Sequence, residues 1–219
     1  MKNRFYIYTI VILFVSCSDS NKKKTESTEK PNTELNVNEE HLDLEKDSNI
    51  TLSEWVNFYE NSEPDFSLNK FEFQSKNKLN VIQGNVFGNF DSNFDQIYSD
   101  FLIFREDKAK YVDFDSYGWS LNENKEILFS PDQEINLVDI KKKTVDRIAF
   151  RGPSQWTENI FWQNDSIIVL LENTYEKQPI ITKIDINKMS IKTFIYSDTL
   201  NFESDYTKSR FKKLGLQYE

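Results

Sequence analysis

Cysteine and histidine occur once each in this chain of 219 residues, as Cys17 and His41. A single thiol excludes a disulfide within the chain, and one residue of each type excludes zinc sites built from clustered cysteine and histidine. Any Ser-His-Asp or Cys-His mechanism would depend on His41, which lies in a polar stretch without a single aromatic residue, so no catalytic residue is assigned. Hydrophobic runs are also short. The longest, residues 5–15, is about half the roughly 20 residues a helix needs to span a bilayer. Basic charge is outnumbered by 36 acids to 27 Lys and Arg, a formal charge of −9 that becomes −11 once Lys2 and Arg4 leave with the first sixteen residues. Such an anion repels phosphate backbones, and no stripe of Lys and Arg with interleaved aromatics offsets it, which argues against nucleic acid as a partner. No phosphate-binding glycine motif or cofactor signature is present, so no cofactor is expected.

What the chain does have is aromatic side chains, 18 Phe, 10 Tyr and 4 Trp, which suit pleated, half-buried surfaces and favour strands. Three regions follow from composition. Residues 1–16 carry a basic head, an apolar run and a small residue, the shape of a secretory signal. Residues 17–50 hold too few apolar side chains to offset ordering entropy and read as a polar tether, about 30 Å long as a flexible coil. Residues 51–219 are expected to form one β-rich domain. Its opening, 51–59, has Leu52, Trp55, Val56 and Tyr59 at helical spacing, with Thr51 and Glu54 at the spacing of a capping box.

Strand patterns follow. Residues 70–74 and 79–83 read as a hairpin around 75–78, and 98–105 and 110–115 as a second hairpin. The clearest signal is a repeat. Ile135, Val138, Asp139, Ile140, Thr144, Val145 and Phe150 match Ile181, Ile184, Asp185, Ile186, Ser190, Ile191 and Tyr196 at a constant offset of 46 positions. Each unit reads as up to four antiparallel strands, 110–115, 126–129, 135–140 and 145–150 in the first, and 158–163, 166–172, 180–186 and 191–196 in the second. Ile167 to Leu171 are apolar throughout, as in a strand covered on both faces. Residues 201–219 form a polar tail with room for a short helix or a last strand. The fold class is therefore mainly β, with antiparallel sheets and one short N-terminal helix.

Two resemblances extend this reading. Phe14-Val15-Ser16-Cys17 resembles the lipobox that ends the signal peptide of bacterial lipoproteins, with Phe14 standing where Leu is commoner. The resemblance implies cleavage before Cys17, a thioether-linked diacylglycerol on its sulfur and acylation of the new amino group by a fatty acid such as palmitate. Several acyl chains at about 0.8 kcal/mol per buried methylene hold a protein stably on a membrane. Val138-Asp139-Ile140 through Thr144-Val145, and Ile184-Asp185-Ile186 through Ser190-Ile191, resemble the outer hairpin of quinoprotein-like β-propeller blades. A complete ring takes about four or more blades and this chain has room for about three, which implies a partial propeller or stacked sheets.

Candidate sites are few. Asp139 and Asp185 recur, and an Asp at a strand end accepts hydrogen bonds from amides two or three residues on, fixing the turn. Asp113, Asp115 and Gly118 have the spacing of a calcium loop, but Tyr117 and Asn124 occupy ligand positions, so a tight turn is expected and no metal is assigned. Tyr117 and Trp119, with Arg151 and Trp156, offer an aromatic and cationic patch at one rim of the sheets, suited to a sugar ring or a partner loop. The alternative is that both tryptophans fill the ends of the core. Together these features suggest a non-catalytic binding or interaction domain, anchored by lipid in the bacterial cell envelope and facing the periplasm or the surface, with a protein or glycan partner. A carboxylate-dependent glycan hydrolase and a structural subunit of an envelope assembly are the alternatives.

Overall fold

A computed structural model describes residues 40–216. The signal segment, Cys17 and its lipobox, the tether as far as residue 39, and the last three residues lie outside the described residues.

The four strands β9 (Gln155–Trp162), β10 (Ile167–Thr174), β11 (Ile180–Asp185) and β12 (Ser190–Tyr196) run as an antiparallel meander. β1 (Phe71–Lys78) adds to its outer edge by pairing with β12, giving a first sheet ordered β1-β12-β11-β10-β9. The second sheet is ordered β2-β8-β7-β4-β3, from β2 (Ile82–Gln83), β3 (Ile103–Phe104), β4 (Lys110–Asp113), β7 (Gln133–Asp139) and β8 (Thr144–Arg151). A small two-stranded sheet, β5 (Trp119–Leu121) with β6 (Ile127–Phe129), leaves the second sheet between β4 and β7.

The interior strand β10 shows how the layers are stacked. Ile168 and Leu170 meet Val112, Ile135, Leu137 and Ile148 of the second sheet, so the two sheets pack face to face. Val169 and Leu171 point the other way, into a cluster with Leu52, Trp55, Val56 and Tyr59 of helix α1 (Ile50–Ser62). Alternate residues therefore bury on opposite faces, each fully covered side chain contributing about 1.5–3 kcal/mol. A third cluster, Phe94, Tyr98, Phe101 and Trp119 with Phe211 of helix α2 (Tyr206–Lys213), closes one end. The architecture is mainly β, and the sheets stack without closing into a propeller among the described residues.

The hairpins β7–β8 and β11–β12 share their turn chemistry. Val138 pairs Val145 and Asp139 pairs Thr144, as Ile184 pairs Ile191 and Asp185 pairs Ser190. The Asp139 carboxylate accepts from Lys142 N at 3.0 Å, and that of Asp185 from Asn187 N and Lys188 N at 3.1 and 2.9 Å. Lys143 and Met189 then take φ of 54° and 50°, a left-handed geometry that glycine adopts more easily.

Several expectations are corrected. β1 and β2 are not a hairpin, because β1 runs on through residues 75–78 past a bulge and the two strands belong to different sheets. Residues 96–101 form a 3-10 helix rather than a strand, with only Ile103–Phe104 pairing with β4. Residues 127–129 pair with β5 and not within the first repeat unit. Asn49 rather than Thr51 caps α1, its Oδ1 accepting from Thr51 N at 2.9 Å. The last part of the expected tether belongs to the domain, with Leu44 only 8% exposed and Leu42 packed on the α1 cluster.

Candidate functional site

The turn from β8 to β9, the residues after β6 and the start of α2 meet at one rim and enclose a cleft of about 310 Å³. A Gly152-Pro153 turn, closed by Gln155 N donating to Gly152 O at 3.2 Å, brings Trp156 to one wall. Phe129 and Pro131 form another wall, and Phe129 stays 43% exposed. The start of α2 supplies Asp205, Thr207 and Lys208. The Thr207 hydroxyl is buried yet has no hydrogen-bond partner among the described residues, an expensive state for a polar group away from water. Gln133 holds the rim in register, its amide accepting from Thr157 N at 2.7 Å and donating to Thr157 O at 3.2 Å.

Behind this wall lies Glu158, which has no exposed surface. It is the extra residue of a β-bulge, since Asn159 pairs Leu171 while Thr157 pairs Glu172. The bulge re-aims its side chain toward α1. There it accepts from Trp55 Nε1 at 2.7 Å, Tyr59 Oη at 2.7 Å and Ser204 Oγ at 2.6 Å. Burial pushes the Glu158 carboxyl above its ordinary value, and hydrogen bonds from Ser204, Tyr59, Trp55 and Trp156 work against that rise. Tyr59 is raised well above its usual 10 by burial and then by the Glu158 charge. Two cleft residues, Trp156 and Ser204, thus rest on a carboxyl that is itself fully buried.

Of the four residues expected to share a patch, one is in the cleft lining. Trp156 lines the cleft, and Tyr117 is half-buried beside Gly118, which also lines it. Trp119 is 4% exposed in the third core cluster, its indole donating to Asp115 Oδ1 at 3.0 Å. Arg151 spans the two sheets, donating from Nε to Glu172 Oε1 at 2.6 Å and from Nη2 to Oε2 at 3.3 Å. Of the calcium-like pair, Asp113 caps its own turn, accepting from Ser116 N at 3.0 Å and Ser116 Oγ at 2.6 Å. Asp115 is held by Arg210 of α2, with Nη2 to Oδ1 at 2.6 Å.

The sequence reading missed Phe129, Asp205, Thr207 and Lys208. No local signal marks them, because the tail's approach to the β8–β9 turn is tertiary. Ring faces, one carboxylate, one ammonium and an unpaired hydroxyl around a cavity of this size suit a sugar-sized polar ring or a protein loop. Among the described residues no helix is long and apolar enough to cross a membrane. Compared with protein-family models, curated proteins and solved structures, the chain matches none.

Proposed function

We propose that the chain is a lipid-anchored protein of the bacterial cell envelope, held through Cys17, whose β domain binds a glycan or protein partner in the cleft beside Trp156. The observation that carries this reading is the cleft itself, with Trp156 and Phe129 as walls and the unpartnered Thr207 hydroxyl within it. The β7–β8 and β11–β12 hairpins are read as parts of blade-like units whose matched turns leave the rim loops free to differ. Hydrolysis by paired carboxylates needs two acids flanking the ligand. Asp205 is the one carboxylate in the lining among the described residues, and Glu158 is enclosed, which supports binding instead.

The test places a photo-crosslinking amino acid at Gln155 on the cleft rim and, as control, at the exposed Glu72 of β1. In intact cells a discrete product is expected from Gln155 and lost on Trp156→Ala. No product from Gln155, or the same product from both positions, overturns the reading. Metabolic labelling with a fatty-acid analogue checks the anchor, since Cys17→Ala is expected to lose both the label and the membrane fraction.

A further inference from the structure

On the α1 side of the first sheet the register places three lysines in one row. Lys76 of β1 stands directly opposite Lys192 of β12, and Lys192 directly opposite Lys183 of β11. The next partner in the row, Val169, belongs to the α1 cluster, which fixes the face. Strands lie about 4.8 Å apart, and like charges opposite one another destabilise a sheet unless anions sit among them. In a chain of net charge −9, this row is a local reversal of sign.

The anions come from residues 40–45, a segment that belongs to no helix or strand. A Glu40 carboxylate oxygen lies 2.9 Å from Lys192 Nζ, the other is 3.9 Å from Lys76 Nζ, and Asp43 pairs with Lys183. The two sides of the last pair differ. The Lys183 side chain is 8% exposed and built into the sheet, whereas that of Asp43 is 71% exposed. Leu42 and Leu44 pack on the apolar cluster beside the row. The groove of about 540 Å³ beside this strap is lined by Glu40, His41 and Asp43 as well as by the lysine row, and adds Ile167, Ser190 and Lys188, the last lying 3.5 Å from the Asp185 carboxylate.

We infer that the lysine row and its apolar margin form a docking groove for an extended, acidic, leucine-bearing segment of a partner protein, for which the chain's own Glu40-His41-Leu42-Asp43-Leu44 stands in. The charge complementarity is drawn by the strap itself: carboxylates three residues apart on neighbouring lysines, with leucines between and after them. Lifting the strap breaks no strand pairing, since residues 40–45 contribute to neither sheet. As a tethered competitor the strap weakens binding in trans, and loosening it restores affinity. This groove is lined by different residues from the Trp156 cleft, and it stands or falls apart from that reading.

The experiment uses the full chain and, as probe, a fluorescent peptide copying residues 38–47, followed by anisotropy. The variant Glu40→Ala/Leu42→Ala/Asp43→Ala is expected to bind the probe about tenfold more tightly than the unaltered chain, and adding Lys192→Glu to lose about tenfold again. If the triple variant does not fold, Asp43→Asn removes one charge with no loss of packing and is expected to gain about threefold. Equal binding by strap variants and unaltered chain, or binding indifferent to Lys192→Glu, overturns the proposal. So does a concentration-dependent dimer that the probe dissociates, which would assign the groove to a second copy.

Discussion

Glu158 on β9 and Glu172 on the neighbouring β10 are both without exposed surface, yet they are accommodated by opposite means. Glu172 faces the second sheet and receives the forked guanidinium of Arg151 together with the hydroxyls of Thr157 and Thr182, at 3.2 and 2.6 Å. Burial works against the charge on Arg151, and the Glu172 carboxylate outweighs it, leaving the guanidinium pKa raised. Glu158 faces α1 and is met by an indole, a phenol and a hydroxyl, with no cation among these donors. One acid is thus an electrostatic clip between sheets. The other is a hydrogen-bond hub whose proton affinity rises because no guanidinium opposes burial.

That contrast is easiest to break at Arg151. Arg151→Met leaves Glu172 buried without its cation and is expected to cost about 3–5 kcal/mol, read as a lower urea midpoint at unchanged m-value. Adding Glu172→Leu is expected to recover most of the loss, because the penalty lies in the orphaned charge. Next in size, Trp55→Phe removes one donor to Glu158 and is expected to cost about 1–3 kcal/mol near neutral pH.

Glu158 and the turn aspartates respond to pH in opposite directions. With its carboxyl raised above the ordinary 4.5, Glu158 binds a proton more tightly in the folded protein than in the unfolded chain. Its contribution is therefore fully present below pH 4.5 and lost as pH rises through the folded value. Urea midpoints are expected to fall across that window, and Glu158→Gln is expected to flatten the fall. A slope that survives the substitution would place the proton elsewhere. The turn aspartates have the opposite sign. Burial works to raise the Asp185 carboxyl, but the Lys188 and Asn187 amides and the Lys188 ammonium outweigh it and hold it below 3.8. Its contribution is lost as pH falls below that value. Asp185→Ala is expected to cost about 1 kcal/mol in thermal unfolding. Smallest of all, Met189→Gly is expected to gain about 0.5 kcal/mol by relieving the positive φ.

Legibility in the sequence followed how local each cause was. The strands β9 to β12 stood out because Ile167 to Leu171 have no polar interruption and their neighbours alternate. The Asp139 and Asp185 turns could be read because the bond each makes closes within three residues. β1 was cut short because Ser75-Lys76-Asn77-Lys78 has the composition of a turn, whereas an edge strand facing solvent tolerates the same residues. Residues 98–105 looked like a strand because Tyr98, Phe101 and Phe104 carry strand-like aromatics, and only the packing of Tyr98 and Phe101 against Trp119 fixes the helical turn. The buried acids Glu134, Glu158 and Glu172 were invisible among 36 candidates, and Asp115 stood out only for a calcium-like spacing that does not describe its contacts. Arg147 with Glu134, Arg151 with Glu172, Arg210 with Asp115, and the Trp55, Tyr59 and Ser204 donors to Glu158 are paired only by the fold, as are the lysine row and the cleft residues of the tail.

The pairing of β1 with β12 sets an order of events during folding. A strand near the start of the domain must wait for one made more than a hundred residues later, and α1 shares the same delayed core. Loop closure over such a span is slow, so a growing chain that ends before Ser190 carries Trp55, Tyr59 and Phe71 without their final neighbours. Nascent chains arrested there should remain open to protease and to chaperones, and the domain should become resistant only after its last strand has emerged.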